Sequence, residues 1–191
     1  MNGKERQSLY SKTQIIEAVF TLLKDNHFDE ITVNEILDLS QISRRTFYRY
    51  FANKEDILQV YLDGLLQSYY LLKDDILAQS SFEDMLMVTL NFFWDNREKL
   101  RLLISSQKFH LLIERYNQEA VPLYRSINAP WHVQPSHSQA DLQDILHFIT
   151  GGYFNIISHW LLEEPARPAA EIARNLSLLF SKIQQTFDLQ P

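Results

Sequence analysis

ITVNEILDLSQISRRTFYRYFANKEDIL, residues 31–58, contains three successive helix starts. Thr32-Val33-Asn34-Glu35 reads as a capping box, in which the Thr hydroxyl takes the amide of the third helical residue and the Glu carboxylate reaches back. Ile31 and Ile36 stand at the positions of a hydrophobic staple. The helix they open is short and ends near Leu39. Ser43 caps the next, with Ile42 and Phe47 as its staple, and that helix runs from Arg44 to about Phe51. Asn53 caps a third, and Glu55 and Asp56 in its first turn suit the positive end of the helix dipole. Two short helices joined only by Ser40-Gln41-Ile42 form a helix-turn-helix.

Charge gives this unit a use. The chain carries a formal net charge of −6, yet between Arg44 and Lys54 stand Arg44, Arg45, Arg49 and Lys54 and no acid. Residues 1–56 hold 8 basic and 9 acidic side chains, whereas residues 57–191 hold 10 and 15, so the basic segment is a local feature of a near-neutral region. Such a patch meets an anionic partner on one face only. In a helix-turn-helix the second helix of the motif enters the major groove with its N-terminal residues against base edges. Arg44 and Arg45 are placed for bidentate contacts to guanine, and Thr46 for a thymine methyl. Tyr48 and Tyr50 have hydroxyls able to reach phosphates, and Thr32, Ser43 and Arg49 complete the expected DNA-binding set. Lys54 adds a charge beside a helix N-terminus, a favourable place for a phosphate. Phe47 and Phe51, four apart, share the opposite face.

Working outward, the pattern is helical throughout. Ser11-Lys12-Thr13-Gln14 reads as a capping box, followed by Ile15, Ile16, Val19, Phe20, Leu22 and Leu23 at helical spacing to about Asn26. The helix begun at Asn53 can run to about Ala78, roughly 37 Å long. Further starts stand at Ser81-Phe82-Glu83-Asp84 and Asp95-Asn96-Arg97-Glu98. Later helices are expected over 109–127, 139–163 and 168–187, with Pro168 at a first helical position and a proline-containing break over 128–138. Hydrophobic content of 46% is ordinary for a globular chain, and no run approaches the ~20 apolar residues of a membrane span. The absence of cysteine excludes disulfides and thiolate chemistry. Neither a signal-peptide core nor a phosphate-cradling glycine loop, nucleophile motif or helical metal motif is present, so the sequence points to a cytoplasmic, non-enzymatic protein with no cofactor and no metal.

The stretch 31–58 resembles the DNA-binding signature of the TetR family of transcriptional regulators. Ser43-x-x-Thr46-Phe47-Tyr48-x-Tyr50-Phe51-x-Asn53-Lys54 is its specific part, and the likeness extends upstream through Ile15, Ile16, Ala18, Phe20, Leu22 and Phe28. It covers about residues 11–60. Members commonly have Ala-Gly in the turn where this chain has Ser40-Gln41, so Gln41 must adopt a glycine's backbone. Arg45 stands where many members have a small residue. The resemblance implies an all-α fold: a helix-turn-helix domain over 1–53 and a larger C-terminal ligand-binding and dimerisation domain over 54–191. It implies a homodimer on palindromic operator DNA, a repressor released by a small-molecule inducer.

The C-terminal part offers two further sets of candidates. Ile172, Leu176, Leu179 and Ile183 form an apolar stripe, and Gly152, Ile156 and Trp160 stand on the preceding helix, where small residues favour close helix approach. These are the expected dimer interface. Of 24 aromatic residues, 17 lie beyond residue 56. Phe93, Phe109, Tyr116, Tyr124, His147 and Phe148, with Phe92, Trp94 and Trp160, are the candidates for lining a site for an apolar or aromatic small ligand. The alternative keeps the DNA-binding domain and gives the C-terminal part a protein partner, such as a co-activator. A closed apolar cavity favours the first, a filled core with an exposed apolar patch the second.

Overall fold

The computed structural model describes residues 2–125 and 139–186. The described residues form ten helices: α1 (Gly3–Leu22), α2 (Val33–Ser40), α3 (Arg44–Tyr50), α4 (Glu55–Tyr70), α5 (Lys73–Leu77), α6 (Phe82–Asp95), α7 (Arg97–Ser105), α8 (His110–Arg125), α9 (Gln139–Leu162) and α10 (Ala169–Thr186). The fold is all-α. The small unit α1–α3 stands at the N-terminus and a larger helical domain follows it.

The capping chemistry read from residues 31–58 is present. Thr32 accepts the Glu35 amide at 3.3 Å, and a Glu35 carboxylate oxygen accepts the Thr32 amide at 2.7 Å. Ser43 Oγ accepts the Thr46 amide at 3.2 Å. Asn53 Oδ1 accepts the Asp56 amide at 2.9 Å, while the Asp56 carboxylate accepts the Ala52 amide at 2.7 Å. Ser81 caps α6 in the same way at 3.1 Å. Two expectations give way. α1 starts at Gly3 instead of just after Ser11, because Asn2 and Glu5 form a capping box of their own and Ser11 lies buried in mid-helix. Once an upstream cap has nucleated a helix, propagation through Ser11 is cheap and the inner signal is overrun. The long helix expected to reach Ala78 stops at Tyr70. Leu72 donates to the Tyr69 carbonyl at 3.0 Å, a tightened last turn, before α5 begins. Neither glycine nor proline marks that break.

One buried cluster runs from Ile15 on α1 to Leu176 on α10. Ile15, Val19, Ile36, Phe47 and Phe51 close the N-terminal unit, and Ile57, Leu58 and Leu62 of α4 join it to the rest. In the C-terminal part Trp94 and Trp160 stack at 5.2 Å, and the Trp160 indole donates to the Arg167 carbonyl at 2.8 Å, tying the α9–α10 connection to the core. Among the described residues no helix is long and apolar enough to cross a membrane.

Candidate nucleic-acid interface

α2 and α3 meet through a turn whose centre is Gln41 at φ 55°, ψ 29°. This is the left-handed conformation that glycine adopts most readily, and Gln41 occupies it without a glycine's freedom. Its side-chain amide donates to the Asp38 carbonyl at 2.6 Å, giving one of the free carbonyls at the end of α2 a partner. Phe47 is fully buried and its ring lies 5.7 Å from that of Phe51, so one side of α3 is fixed in the core. The other side carries Arg44, Arg45, Tyr48 and Arg49, all exposed.

These side chains are not equivalent. Arg44 donates through Nη2 to Asn34 Oδ1 on α2. Arg45 has no intramolecular partner among the described residues. Ser43 Oγ donates to Thr46 Oγ1 at 3.0 Å, so those hydroxyls are paired with each other. The Arg49 guanidinium lies 4.8 Å from the Tyr50 ring centroid, and Lys12 Nζ, from α1, lies 5.6 Å from the same ring. Lys12 thus joins the cationic face. Sequence reading omits it because nothing in α1's own pattern links it to a residue 38 positions on.

Thr32 and Lys54 do something other than expected. The Thr32 hydroxyl donates to Glu35 at 2.7 Å and accepts that residue's amide, so its one proton is committed to the cap. The same hydrogen bonds hold the Glu35 carboxyl below its ordinary range. Lys54 Nζ donates to the carbonyls of Phe28, Asp29 and Ile31, each at 2.8 Å, and sits 5.0 Å from the Phe28 ring centroid. An ammonium has three N–H donors and all three are taken. The geometry makes Lys54 the clasp of the α1–α2 turn instead of a free charge for a phosphate. The backbone amides at the start of α4 remain beside it.

A family profile described as "Bacterial regulatory proteins, tetR family" matches residues 15–61. Over that N-terminal stretch the chain is similar to the TetR family of regulators. The chain is similar to "Uncharacterized HTH-type transcriptional regulator YxbF" of Bacillus subtilis (strain 168), 26% identical over 178 residues that make up 90% of this chain. The chain spans 45% of that relative's length. The HTH-type dhaKLM operon transcriptional activator DhaS of Lactococcus lactis is 34% identical over 53 residues, 28% of each chain. A TetR transcriptional regulator from Streptococcus agalactiae 2603V superposes with a TM-score of 0.60 at 22% identity, covering 93% of this chain and 96% of its own, and shows the shared fold. The matched profile and these relatives are described as transcriptional regulators.

The C-terminal candidates divide. Phe93, Phe109 and Tyr116 do come together, in a cluster with Tyr69, Phe92, Tyr153 and Phe154 whose neighbouring ring centroids lie 5.3–6.3 Å apart. Hydroxyls are embedded in it. Tyr153 shares a 2.6 Å hydrogen bond with Thr89. Burial raises the Tyr69, Tyr116 and Tyr153 phenols above their ordinary range and pushes Tyr70 up to about 12. Tyr124, like Tyr116, packs against Leu142 and Leu146. His147 and Phe148 do not belong to the interior: both are exposed, Phe148 at 79%. Helical spacing alone does not decide which side of α9 faces in.

The expected dimer interface is corrected in the same way. Trp160 is 1% exposed, and Ile172 and Leu176 are likewise buried within the chain itself, facing the core instead of a second subunit. Ile156 is half-buried against the core, and the Ile183 side chain lies outside the described residues. Gly152 and Leu179 are exposed, and with them Phe148, Leu162 and Leu178. A Cβ built on Gly151 or Gly152 would meet nothing within 4 Å. The apolar character of α10 is real on two sides, and the inward side, not the outward one, holds Ile172 and Leu176.

Proposed function

We propose that this chain is a homodimeric DNA-binding transcriptional regulator that represses from a two-fold-related operator and is released by an uncharged apolar or aromatic small molecule. The observation that carries the reading is the split surface of α3: Phe47 locked in the core, and an exposed, acid-free face of Arg44, Arg45, Tyr48 and Arg49 opposite. Ser43, Thr46 and Tyr50 flank that face and complete the contact set. A helix so oriented can enter a major groove. Pairing of two subunits through the exposed α9 and α10 residues, Phe148, Gly152, Leu178 and Leu179, would present two such helices to two half-sites. The inducer would enter the aromatic cluster around Phe93, Phe109 and Tyr116, where the embedded groups are neutral hydroxyls.

Selection of bound sequences from random duplex DNA by the full chain tests this. An inverted repeat bound with strong salt dependence is expected. A screen of small molecules for joint changes in thermal stability and operator affinity tests the inducer.

A second reading has its own support. The interior rings pack against one another, and Phe148 is largely exposed. A protein partner on the C-terminal domain, acting as co-activator, suits a filled core with an apolar surface. The named relative DhaS is an activator. Reporter transcription with and without the protein separates the two.

A further inference from the structure

We infer that Asn34 is a positioning residue for DNA reading, acting through Arg44; this rests on the DNA-binding reading above. Asn34 is the second residue of α2 and Arg44 the first of α3. Their side chains meet across the turn, with Arg44 Nη2 donating to Asn34 Oδ1. A guanidinium presents its donors in one rigid planar fork, so fixing one nitrogen fixes the direction of the others. A free arginine loses much rotamer freedom when it engages a base or phosphate, and a tethered one has lost part of it beforehand.

The neighbouring arginine supplies the contrast. Arg45 has no intramolecular partner among the described residues, so it can adapt to whichever edge it meets. The two arginines at the base-reading end therefore differ in kind: Arg44 reads one fixed position, and Arg45 tolerates more. Asn34 is neutral, so its removal takes no charge from the interface. That separates it from an ordinary phosphate contact.

The test is the selection of bound sequences by the full chain and its variants Asn34→Ala, Asn34→Asp, Arg44→Ala and the double variant Asn34→Ala/Arg44→Ala, with thermal midpoints as a folding control. Arg44→Ala should lose preference at a defined base position in each half-site. Asn34→Ala should weaken preference at that same position, by about tenfold for a lost bidentate contact, with the salt dependence of the unaltered chain. The double variant should resemble Arg44→Ala alone. Asn34→Asp keeps an acceptor oxygen in place and should retain the base preference, and it serves as the folded comparison if Asn34→Ala is unstable. The inference is overturned if Asn34→Ala leaves the Arg44-dependent position untouched, if its effect adds fully to that of Arg44→Ala, or if Asn34→Asp behaves as Asn34→Ala. An unaltered chain that selects no sequence would overturn the DNA-binding reading itself, and this inference with it. Selection that is intact but indifferent to Arg44 would overturn this inference alone.

Discussion

Lys54 and Arg45 show how similar charges acquire opposite duties. Replacing Lys54 with Met leaves the carbonyls of Phe28, Asp29 and Ile31 without their shared donor. An orphaned polar group costs on the order of 1–3 kcal/mol, and a loss of stability of that order is expected in denaturant titration. Arg45→Ala should do the reverse, leaving the unfolding midpoint unchanged and costing about 1–3 kcal/mol of affinity on the preferred site. The sequence places both residues in one acid-free run and cannot separate them. Charge is read from composition, but the position of three carbonyls more than 20 residues upstream is a product of tertiary folding. Gln41 is the opposite case. A missing glycine in a turn announces a left-handed residue, and the backbone there has φ 55°.

Among the elements, α2 and α3 are legible in the sequence because their signals are local: a cap, a staple and a few apolar positions fix an eight-residue helix. The extent of α4 is not, since its end at Tyr70 carries no breaker residue. The cap of α2 also predicts a response to acid. Hydrogen bonds from Thr32 hold Glu35 below the ordinary glutamate value of 4.5, and hydrogen bonding and charge from Lys108 hold Asp29 below 3.8. A carboxyl whose folded pKa is depressed stabilises the fold fully above its unfolded value and loses that contribution as pH falls through the folded one. α2 and the turn before it should therefore loosen as pH drops below about 4. NMR titration of the Thr32 amide should report the change. Glu35→Gln, which keeps an acceptor but does not titrate, should remove the dependence at α2.

At the scale of the whole molecule, pairing through the exposed side of α9 and α10 predicts that Phe148→Glu or Leu179→Glu yields a monomer in sedimentation, with the chain still folded, because neither side chain is buried within the subunit. Trp160→Ala should instead destabilise the subunit by about 3–5 kcal/mol, visible as a fall in the unfolding midpoint. Sequence periodicity finds the apolar helices but not their rotation, since a helix apolar on two sides offers two equal solutions until its neighbours are placed. The join between the two parts of the chain has a polarity of its own. Its acids lie on the DNA-binding side and its cations on the other: Lys99 of α7 pairs with Glu17 of α1, and Lys108 pairs with Asp29 at 3.0 Å. Asp29 sits on the turn that Lys54 clasps, and Lys108 precedes Phe109 of the aromatic cluster. A chimera joining residues 1–53 to the regulatory half of a similar regulator lacking these lysines would strip both acids of their counter-ions. Such a graft would carry two more uncompensated negative charges than the parent, and its operator binding should fall short of the parent's by the largest factor in dilute buffer, where charge is least screened, and recover in part when Lys99 and Lys108 are supplied at matching places in the new host.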